Sequence, residues 1–437
     1  MRKYFSHFFL AFSFLLISYV FFKSEIQWEG EKRNYYFIYY LLSIACLGLS
    51  FISFYLDTQT KLKILLFMIS SFIPLYLIET FLVINKEYLK KKRVQIYQEI
   101  TGNTFDQRSI LELIKDEQIK NESIFYTGLY PHHFLSYNKI GFLPLSGTSN
   151  TQTIFCNENG NYTIYKSDRY GFNNNDKNWD KNNIEYLLLG DSYVHGACVN
   201  RPNDITSQLI LLSNKNSINL SFNGNGPLIE LATLKEFFPN EKKVKNILWF
   251  YYEGNDLAEL NSELNNSTLV NYLDNENFSQ NLIKNQKNVD KFLNEQLSKE
   301  LAKMNSNSNL VLIKTLKLYE LRLFIRNFFK KDIKSISEKD FFRIMDISNK
   351  FAKKNKVNFY FIYLPDILRY FSKNYNEDNY KIIKDILIRL EIPIIDIKKE
   401  IEESQIDPKK FFPLGQPGHF NEFGYNFVAK KILKLAR

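Results

Sequence analysis

The sequence predicts a three-layer α/β domain with a mainly parallel sheet, preceded by a membrane region. In the second half of the chain, short apolar runs alternate with helical stretches, and such alternation is typical of parallel strands whose sheet is covered by helices on both faces. The first part instead contains long apolar stretches. The 437 residues and 45% hydrophobic content leave room for both regions. The predicted strands lie near Glu185, Ile218, Ile247, Phe359 and Ile395.

The membrane region, residues 1–84, contains three apolar stretches. These are residues 5–22, 35–56 and 64–84. Each is near the length needed to cross a bilayer core of about 30 Å, so we predict three transmembrane helices. The first could instead be a signal peptide, but no small-residue cleavage site precedes Lys23. Glu79 is the one charged residue in these spans, and so near a span end it is expected to reach the interface.

The basic residues give two opposing signals about orientation. Arg2 and Lys3 favour a cytoplasmic amino terminus, and three spans then deliver the rest of the chain to the far side. The basic run 90–93 would follow the last span on that far side, against the usual bias. Because large domains translocate with little regard for charge, we predict the far-side placement.

Two further segments follow the spans. Residues 85–125 are predicted to form a juxtamembrane helical linker, and residues 126–437 form the main domain. A helical insertion of about 257–334 interrupts that domain. It forms either a lid or substrate wall, or a helical hairpin packed on the flank of the sheet.

The net charge of +10 does not indicate a nucleic-acid partner. Lysines are mixed with acidic residues along the chain, without the one-face clustering that nucleic-acid binding needs. The basic run 90–93 could attract anionic lipid, although a solvated surface is the default. The histidines lack metal-ligand spacing and there is no nucleotide-binding loop, so we expect no metal and no cofactor.

A candidate nucleophile stands in the stretch IEYLLLGDSYVHGACVN, residues 184–200. It is predicted to form a strand, a tight turn at Gly190 and a helix, which places Ser192 at the carboxyl edge of the sheet, where ligands bind in α/β proteins. A hydroxyl needs a base before it becomes a good nucleophile. Three later blocks offer partners: 223–227 with Gly224, 253–256 with Asn255, and 418–425 with His419.

Together, the four blocks resemble the SGNH or GDSL hydrolase superfamily over residues 184–437. The resemblance implies that Ser192 is the nucleophile and His419 the general base. It also implies an oxyanion hole formed by the Ser192 and Gly224 N–H groups with the Asn255 side chain. The run 165–173, with Asp168 and Arg169, is similar to the lead-in of envelope-associated members.

This chain departs from the family pattern in two places. Glu253 stands where the family usually has glycine, which is expected to change local backbone only, and Gln416 stands where it has an aspartate three residues before the histidine. The site could therefore work as a Ser-His dyad, draw a carboxylate from elsewhere such as Asp407 or Glu422, or have lost activity. Three nearby residues remain candidates for support: Asp191, Gln416 and His195. For His195, packing is a more frequent role than function.

There are three cysteines, of which Cys46 lies in the second predicted span. We expect the other two, Cys156 and Cys198, to form a disulfide that ties the segment before the sheet to the catalytic turn. An oxidising compartment would permit this bond. Two unpaired buried thiols are the alternative.

The resemblance, together with the predicted membrane spans, implies a membrane-anchored serine esterase or O-acyltransferase that acts on acylated envelope glycans. Its expected place is the bacterial inner membrane, as a multi-pass protein with the catalytic domain facing the periplasm or exterior. The expected partners are the lipid bilayer and an ester substrate, without nucleic acid and with no protein partner identified. One alternative is a catalytically degenerate SGNH-fold protein that binds or scaffolds envelope polysaccharide. Another is a lipid-directed esterase at the membrane surface.

Overall fold

The computed structural model describes residues 4–28, 30, 33–119, 123–137, 141–306, 310–328, 336–372 and 375–436. The chain divides into two compact units, residues 1–88 with 309–330, and residues 89–308 with 331–437. A part of the predicted insertion therefore groups with the amino-terminal helices. Arg2 and Lys3, used above for orientation, and residues 329–334 of the insertion lie outside the described residues.

The first unit contains three helices that are long and apolar enough to cross a membrane. They are α1 (Phe5–Phe21, continued by a π-helical segment Phe22–Gln27), α2 (Arg33–Ile52, continued by a 3-10 turn Ser53–Tyr55) and α3 (Thr58–Thr101). Each contains or overlaps one predicted span. Their length and composition are compatible with insertion into a bilayer.

Small serine side chains lie where α1 packs against α2. Ser6, Ser13, Ser43 and Ser50 are all buried, and small residues allow membrane helices to approach closely. The Ser6 Oγ donates to the Ser53 carbonyl at 3.1 Å, and the Ser13 Oγ lies 3.2 Å from the Cys46 carbonyl. These hydroxyls are therefore satisfied by helix carbonyls rather than by water.

Glu79 on α3 is fully buried within the protein, and its place at the membrane interface stays a prediction. Its carboxylate accepts the N–H groups of Glu320 at 3.1 Å and Leu321 at 2.7 Å. These residues begin α12 (Tyr319–Phe328), which follows α11 (Leu310–Leu316). A carboxylate at that position satisfies N–H groups that a helix leaves without internal partners. Glu79 therefore caps a helix of the insertion.

The second unit is built on a five-stranded, entirely parallel sheet with strand order β5-β4-β6-β7-β8. Its strands are β4 (Asn183–Leu189), β5 (Ser217–Asn219), β6 (Lys243–Tyr252), β7 (Asn358–Leu364) and β8 (Ile394–Asp396). They are the five strands that the apolar runs predict. The α/β fold class with a mainly parallel sheet is therefore confirmed.

Helices cover both faces of this sheet. Along β4, Leu187 and Leu189 belong to one apolar cluster, while Tyr186 and Leu188 belong to the other, because alternate residues of a strand point to opposite faces. The first cluster is completed mainly by α7 (Pro227–Phe237), α10 (Gln286–Ser306), α13 (Ile336–Lys354) and α14 (Asp378–Arg389), and the second by α6 (Ile205–Ser213), α15 (Ile397–Glu403) and α16 (Glu422–Leu435). The remaining helices are α4 (Ile110–Ile119), α5 (Ser192–His195), α8 (Asp256–Glu263) and α9 (Ser267–Asp274).

A smaller sheet precedes the Ser192 turn in the chain. It contains β1 (Ile124–Tyr126), β2 (Gln152–Ile154) and β3 (Ile164–Lys166). β1 pairs with β2 in parallel, and β2 pairs with β3 antiparallel. The loop between β2 and β3 carries the residues that complete the site described next.

Candidate functional site

Ser192 lies in the tight turn where β4 passes into α5. Its side chain is buried, at 7% exposure. The Asp191 side chain caps the helix by accepting the Tyr193 N–H at 3.0 Å, and Gly196 ends it in a left-handed conformation with φ of +90°. Because the turn directly follows β4, which is parallel to both of its neighbours, it lies at the carboxyl edge of the sheet, as predicted.

The Ser192 hydroxyl is hydrogen-bonded to His419, which is bonded in turn to a carboxylate. The Ser192 Oγ lies 2.9 Å from His419 Nε2. His419 Nδ1 lies 3.0 Å from Glu158 Oε1, and the His419 backbone N–H donates to Glu158 Oε2 at 2.7 Å. A serine, a histidine and an acid connected in this order form the arrangement of a catalytic triad.

The electrostatics suit a charged Glu158. Burial alone would raise its pKa, but the hydrogen bond and charge of His419, together with the Arg93 charge, outweigh it and lower the pKa of this carboxyl. Glu158 is thus an anion at neutral pH, able to orient the imidazole and to stabilise its protonated form. Asp191 differs, because burial raises its pKa. Its Oδ2 accepts a longer bond, of 3.1 Å, from the Ser192 hydroxyl.

The Glu158 loop is attached directly to the nucleophile turn. The structure contains the predicted disulfide between Cys156 and Cys198, with the two Cα atoms 5.0 Å apart. Next to it, the Asn159 side chain donates to the Cys198 carbonyl at 3.0 Å. On the other side of Glu158, the Asn157 side chain donates to the Asp106 carbonyl at 2.9 Å. Glu158 is therefore fixed from both sides.

The two carboxylates suggested by the sequence do not serve His419. Asp407 accepts the Lys409 N–H at 3.0 Å, and Glu422 accepts from the Asn203 side chain at 2.9 Å. Nor, among the described residues, does the Gln416 side chain bond to His419. Sequence reasoning missed Glu158 because it looked near the histidine. The available signal was the expected disulfide, which brings the residues just after Cys156 close to the Ser192 turn.

Tyr193 contacts the His419 ring and is hydrogen-bonded to the neighbouring Gly418. The Tyr193 ring packs against the imidazole with 4.8 Å between ring centroids, and its hydroxyl donates to the Gly418 carbonyl at 3.2 Å. A Cβ at Gly418 would come within 2.5 Å of a Glu158 oxygen. A side chain at that position would thus displace the carboxylate.

The predicted oxyanion residues follow the strands on either side of β4. Gly224 follows β5 with φ of +68°, and the Tyr130 ring covers it so closely that a Cβ would lie 2.5 Å from a ring carbon. Asn255 follows β6, and its Nδ2 donates to Glu259 Oε1 at 2.9 Å. An amide nitrogen carries two hydrogens, so this bond orients the group and leaves one donor. Their oxyanion roles remain predictions.

His195 is a packing residue in this structure. It is fully buried, and burial lowers its pKa to about 3, so the ring is neutral. Its Nδ1 accepts the Asn223 N–H at 3.1 Å, and its Nε2 is hydrogen-bonded to the Tyr165 hydroxyl. His195 thus fixes the turn that carries Gly224.

Asp168 in the lead-in run is also buried within the protein. It accepts hydrogen bonds from the Trp179 and Asn174 side chains, each at 2.7 Å, and from two backbone N–H groups of its own turn. Arg169 pairs with Asp176 and Asp180. The side chains of Asp168 and Arg169 therefore stabilise the local turn through hydrogen bonds and ion pairs.

Glu253, which replaces the glycine of the family pattern, forms a buried ion pair with Arg369. It also accepts the Asp366 N–H at 3.0 Å. The substitution therefore does more than alter the local backbone, because it links the end of β6 to the segment after β7.

One set of potential metal ligands lies within the described residues. Its members are Glu158, Cys198 and His419, whose ligand atoms lie within 4.8 Å of one another. The Cys198 sulfur is bonded to Cys156, so it is not a thiolate ligand while the disulfide is intact. The other two groups are hydrogen-bonded to each other.

A scan against models of known protein families found no match, and neither did a search of curated proteins. Among solved structures, the chain is similar to the crystal structure of an acetyl xylan esterase, AlAXEase, at 10% sequence identity and a TM-score of 0.31. The match covers 57% of this chain and 98% of that chain. A likeness of this size does not establish a family or an activity for this chain.

Proposed function

We propose that this protein is a membrane-anchored serine ester hydrolase or O-acyltransferase of the SGNH type. The observation that supports it is the continuous hydrogen-bonded array from Ser192 Oγ to His419 Nε2, 2.9 Å, and from His419 Nδ1 to Glu158 Oε1, 3.0 Å. The three groups come from separate loops. Their convergence on one hydroxyl is what activation of a serine requires.

In the proposed mechanism, His419 Nε2 removes the proton of Ser192 as its oxygen attacks the ester carbonyl. Glu158 holds the imidazole in the required tautomer and stabilises the positive charge that it acquires. The N–H groups of Ser192 and Gly224 and the Asn255 amide donate to the tetrahedral oxyanion. His419 then protonates the leaving alcohol, and water or a sugar hydroxyl releases the acyl group from the serine.

The proposed substrate is an acylated glycan of a bacterial envelope. The resemblance of the four sequence blocks and the three apolar helices support this proposal. The proposed location is the bacterial inner membrane, with the catalytic unit facing the periplasm or exterior, where the disulfide between Cys156 and Cys198 is stable.

The competing function, a degenerate domain that only binds or scaffolds polysaccharide, was suggested by Gln416. Glu158 is hydrogen-bonded to His419 where a triad acid would be. Gln416 therefore no longer argues for that alternative. A binding domain would also have no use for a carboxylate fixed by two bonds to a histidine beside a serine.

The test is covalent labelling of the full chain in detergent by a fluorophosphonate probe. We expect labelling of the wild-type protein and its loss in Ser192→Ala and His419→Ala. Ser221→Ala is the matched control, because Ser221 is a buried serine just after β5, and it should leave labelling intact. Folded wild-type protein that does not react would contradict the proposed function.

A further inference from the structure

A cleft of about 570 Å³ lies beside the Glu158–His419 pair, within the second unit. Ligand pockets commonly have volumes of about 300–1,000 Å³. Two loops of the candidate site form part of its wall: Asn157 directly precedes Glu158, and Gln416 and Pro417 directly precede Gly418 and His419. A molecule seated there is next to the loops that carry two of the three proposed triad residues.

The cleft is basic. The carboxyl-terminal part of α3 contributes Lys90, Lys92 and Arg93 to its wall, and Arg108 adds a fourth cation. Arg108 is committed to Asp106 and Asp116 by close ion pairs. By contrast, Lys90 and Lys92 are exposed and form no ion pair with a described residue. The cleft therefore holds positive charge that the protein itself does not neutralise.

Arg93 connects this charge to the candidate site. Its Nη2 donates to the Pro417 carbonyl at 3.0 Å, and its charge contributes to the lowered pKa of Glu158. Its Nε is shielded from solvent and has no hydrogen-bond partner within the described ranges. Because this atom is shielded, Arg93 contributes to the cleft through its charge and not through a free N–H edge.

The other lining groups are mixed: Leu89, Val94, Phe105 and Pro417 are apolar, and Asp106 is the carboxylate that pairs with Arg108. Gln107, Asn157, Tyr162 and Gln416 add amides and a phenol to the wall, and such groups hydrogen-bond hydroxyls. Cations beside amides and an aromatic side chain match a molecule that carries both negative charge and hydroxyl groups.

We propose that this cleft binds an acidic segment of the glycan substrate, through its carboxylate or phosphate groups. The identity of the ligand as part of a glycan rests on the proposed function, whereas the anion site itself does not. The inference also gives the basic run 90–93 a role on the far side of the membrane. Three of its four residues line the cleft, and Lys91 does not.

The test is a binding measurement on the full chain in detergent, with fluorescein-labelled trigalacturonate as the acidic probe and labelled xylotriose as the neutral one. Wild-type protein should prefer trigalacturonate. Lys90→Ala combined with Lys92→Ala should weaken that binding about tenfold, since two ion pairs are lost. Lys91→Ala, which removes one positive charge of the same run outside the cleft, should bind like wild type. Equal weakening by Lys91→Ala, or no preference for the acidic probe, would overturn the inference.

The alternative ligand is an anionic lipid headgroup, because the run 90–93 closely follows the last span, which ends at Ile84. Binding of a fluorescent phosphatidylglycerol to the same variants tests this alternative. If the double variant weakens binding of this lipid and leaves trigalacturonate binding unchanged, the cleft is a headgroup site and the proposal is wrong. Because binding needs no turnover, these outcomes are independent of the fluorophosphonate result.

Discussion

Glu158 holds His419 at two atoms, with one carboxylate oxygen 3.0 Å from the ring Nδ1 and the other 2.7 Å from the backbone nitrogen. The two bonds fix the ring and its backbone together. Glu158 precedes Ser192 in the chain. It reaches His419 from the loop between β2 and β3 of the small sheet.

Glu158→Gln should lower kcat for p-nitrophenyl acetate by about 10²- to 10⁴-fold, with little change in KM, because an amide cannot stabilise the imidazolium. Asp407→Asn and Glu422→Gln are matched controls, since neither carboxylate contacts His419. Steady-state kinetics on the four proteins provides the check. A comparable loss in either control would contradict the assignment of Glu158.

Loss of the disulfide should lower both stability and activity. The bond joins residues 42 positions apart, and closing such a loop stabilises a protein by about 4 kcal/mol in the chain-entropy model. Cys198→Ser should therefore melt at a lower temperature than wild type and lose activity even where it is folded, because the Glu158 loop loses its attachment. Thermal unfolding and ester hydrolysis measure the two effects. Cys46→Ser, which removes the unpaired cysteine, should change neither.

Gly224→Ala should impair catalysis more than folding. The new Cβ would lie 2.5 Å from the Tyr130 ring, at a φ of +68°, so the turn and its N–H must move. Loss of one oxyanion donor costs about a hundredfold or more in kcat. Gly102→Ala is the control for backbone strain alone, since its φ is +71° with nothing within 4 Å. If both variants lose activity equally, Gly224 is not a donor.

Glu230→Gln should make stability less dependent on pH. Glu230 is fully buried on α7, neither carboxylate oxygen has a hydrogen-bond partner among the described residues, and burial raises its pKa well above the usual value. The folded state therefore retains a proton that the unfolded state releases above about pH 4.3. Wild-type stability should fall as pH rises from there toward the folded pKa, by up to about 1.4 kcal/mol per pH unit from this group.

In Glu230→Gln this contribution is absent, because the amide does not titrate and is close in shape to the protonated acid. Thermal unfolding from pH 5 to pH 8 should show a flatter profile than wild type. Glu241→Gln removes an exposed carboxylate and should keep the wild-type slope. An unchanged slope in Glu230→Gln would show that Glu230 is ionised in the folded protein.

Local patterns were sufficient to predict the sheet and the serine turn. Each of the five strands is a short apolar run, and Ser192 stands directly after one of them, so periodicity and turn residues locate them without tertiary information. The Cys156–Cys198 pair could be predicted because only two cysteines lie outside the spans.

Two features could not be predicted from local pattern, because each depends on a contact between distant residues. Glu158 and His419 are 261 positions apart, and Glu79 meets Glu320 and Leu321 more than 240 positions away. For Glu158, the one nearby signal is Cys156, whose expected disulfide brings this loop to the Ser192 turn. The contact with His419 itself follows only from the tertiary fold.

The bond between Cys156 and Cys198 also has a consequence for when the protein becomes competent. In the proposed location, a chain still in a reducing cytosol would lack this bond, and oxidation after export would attach the Glu158 loop covalently to the Ser192 turn. The proposed activity would then reach its full level only after export.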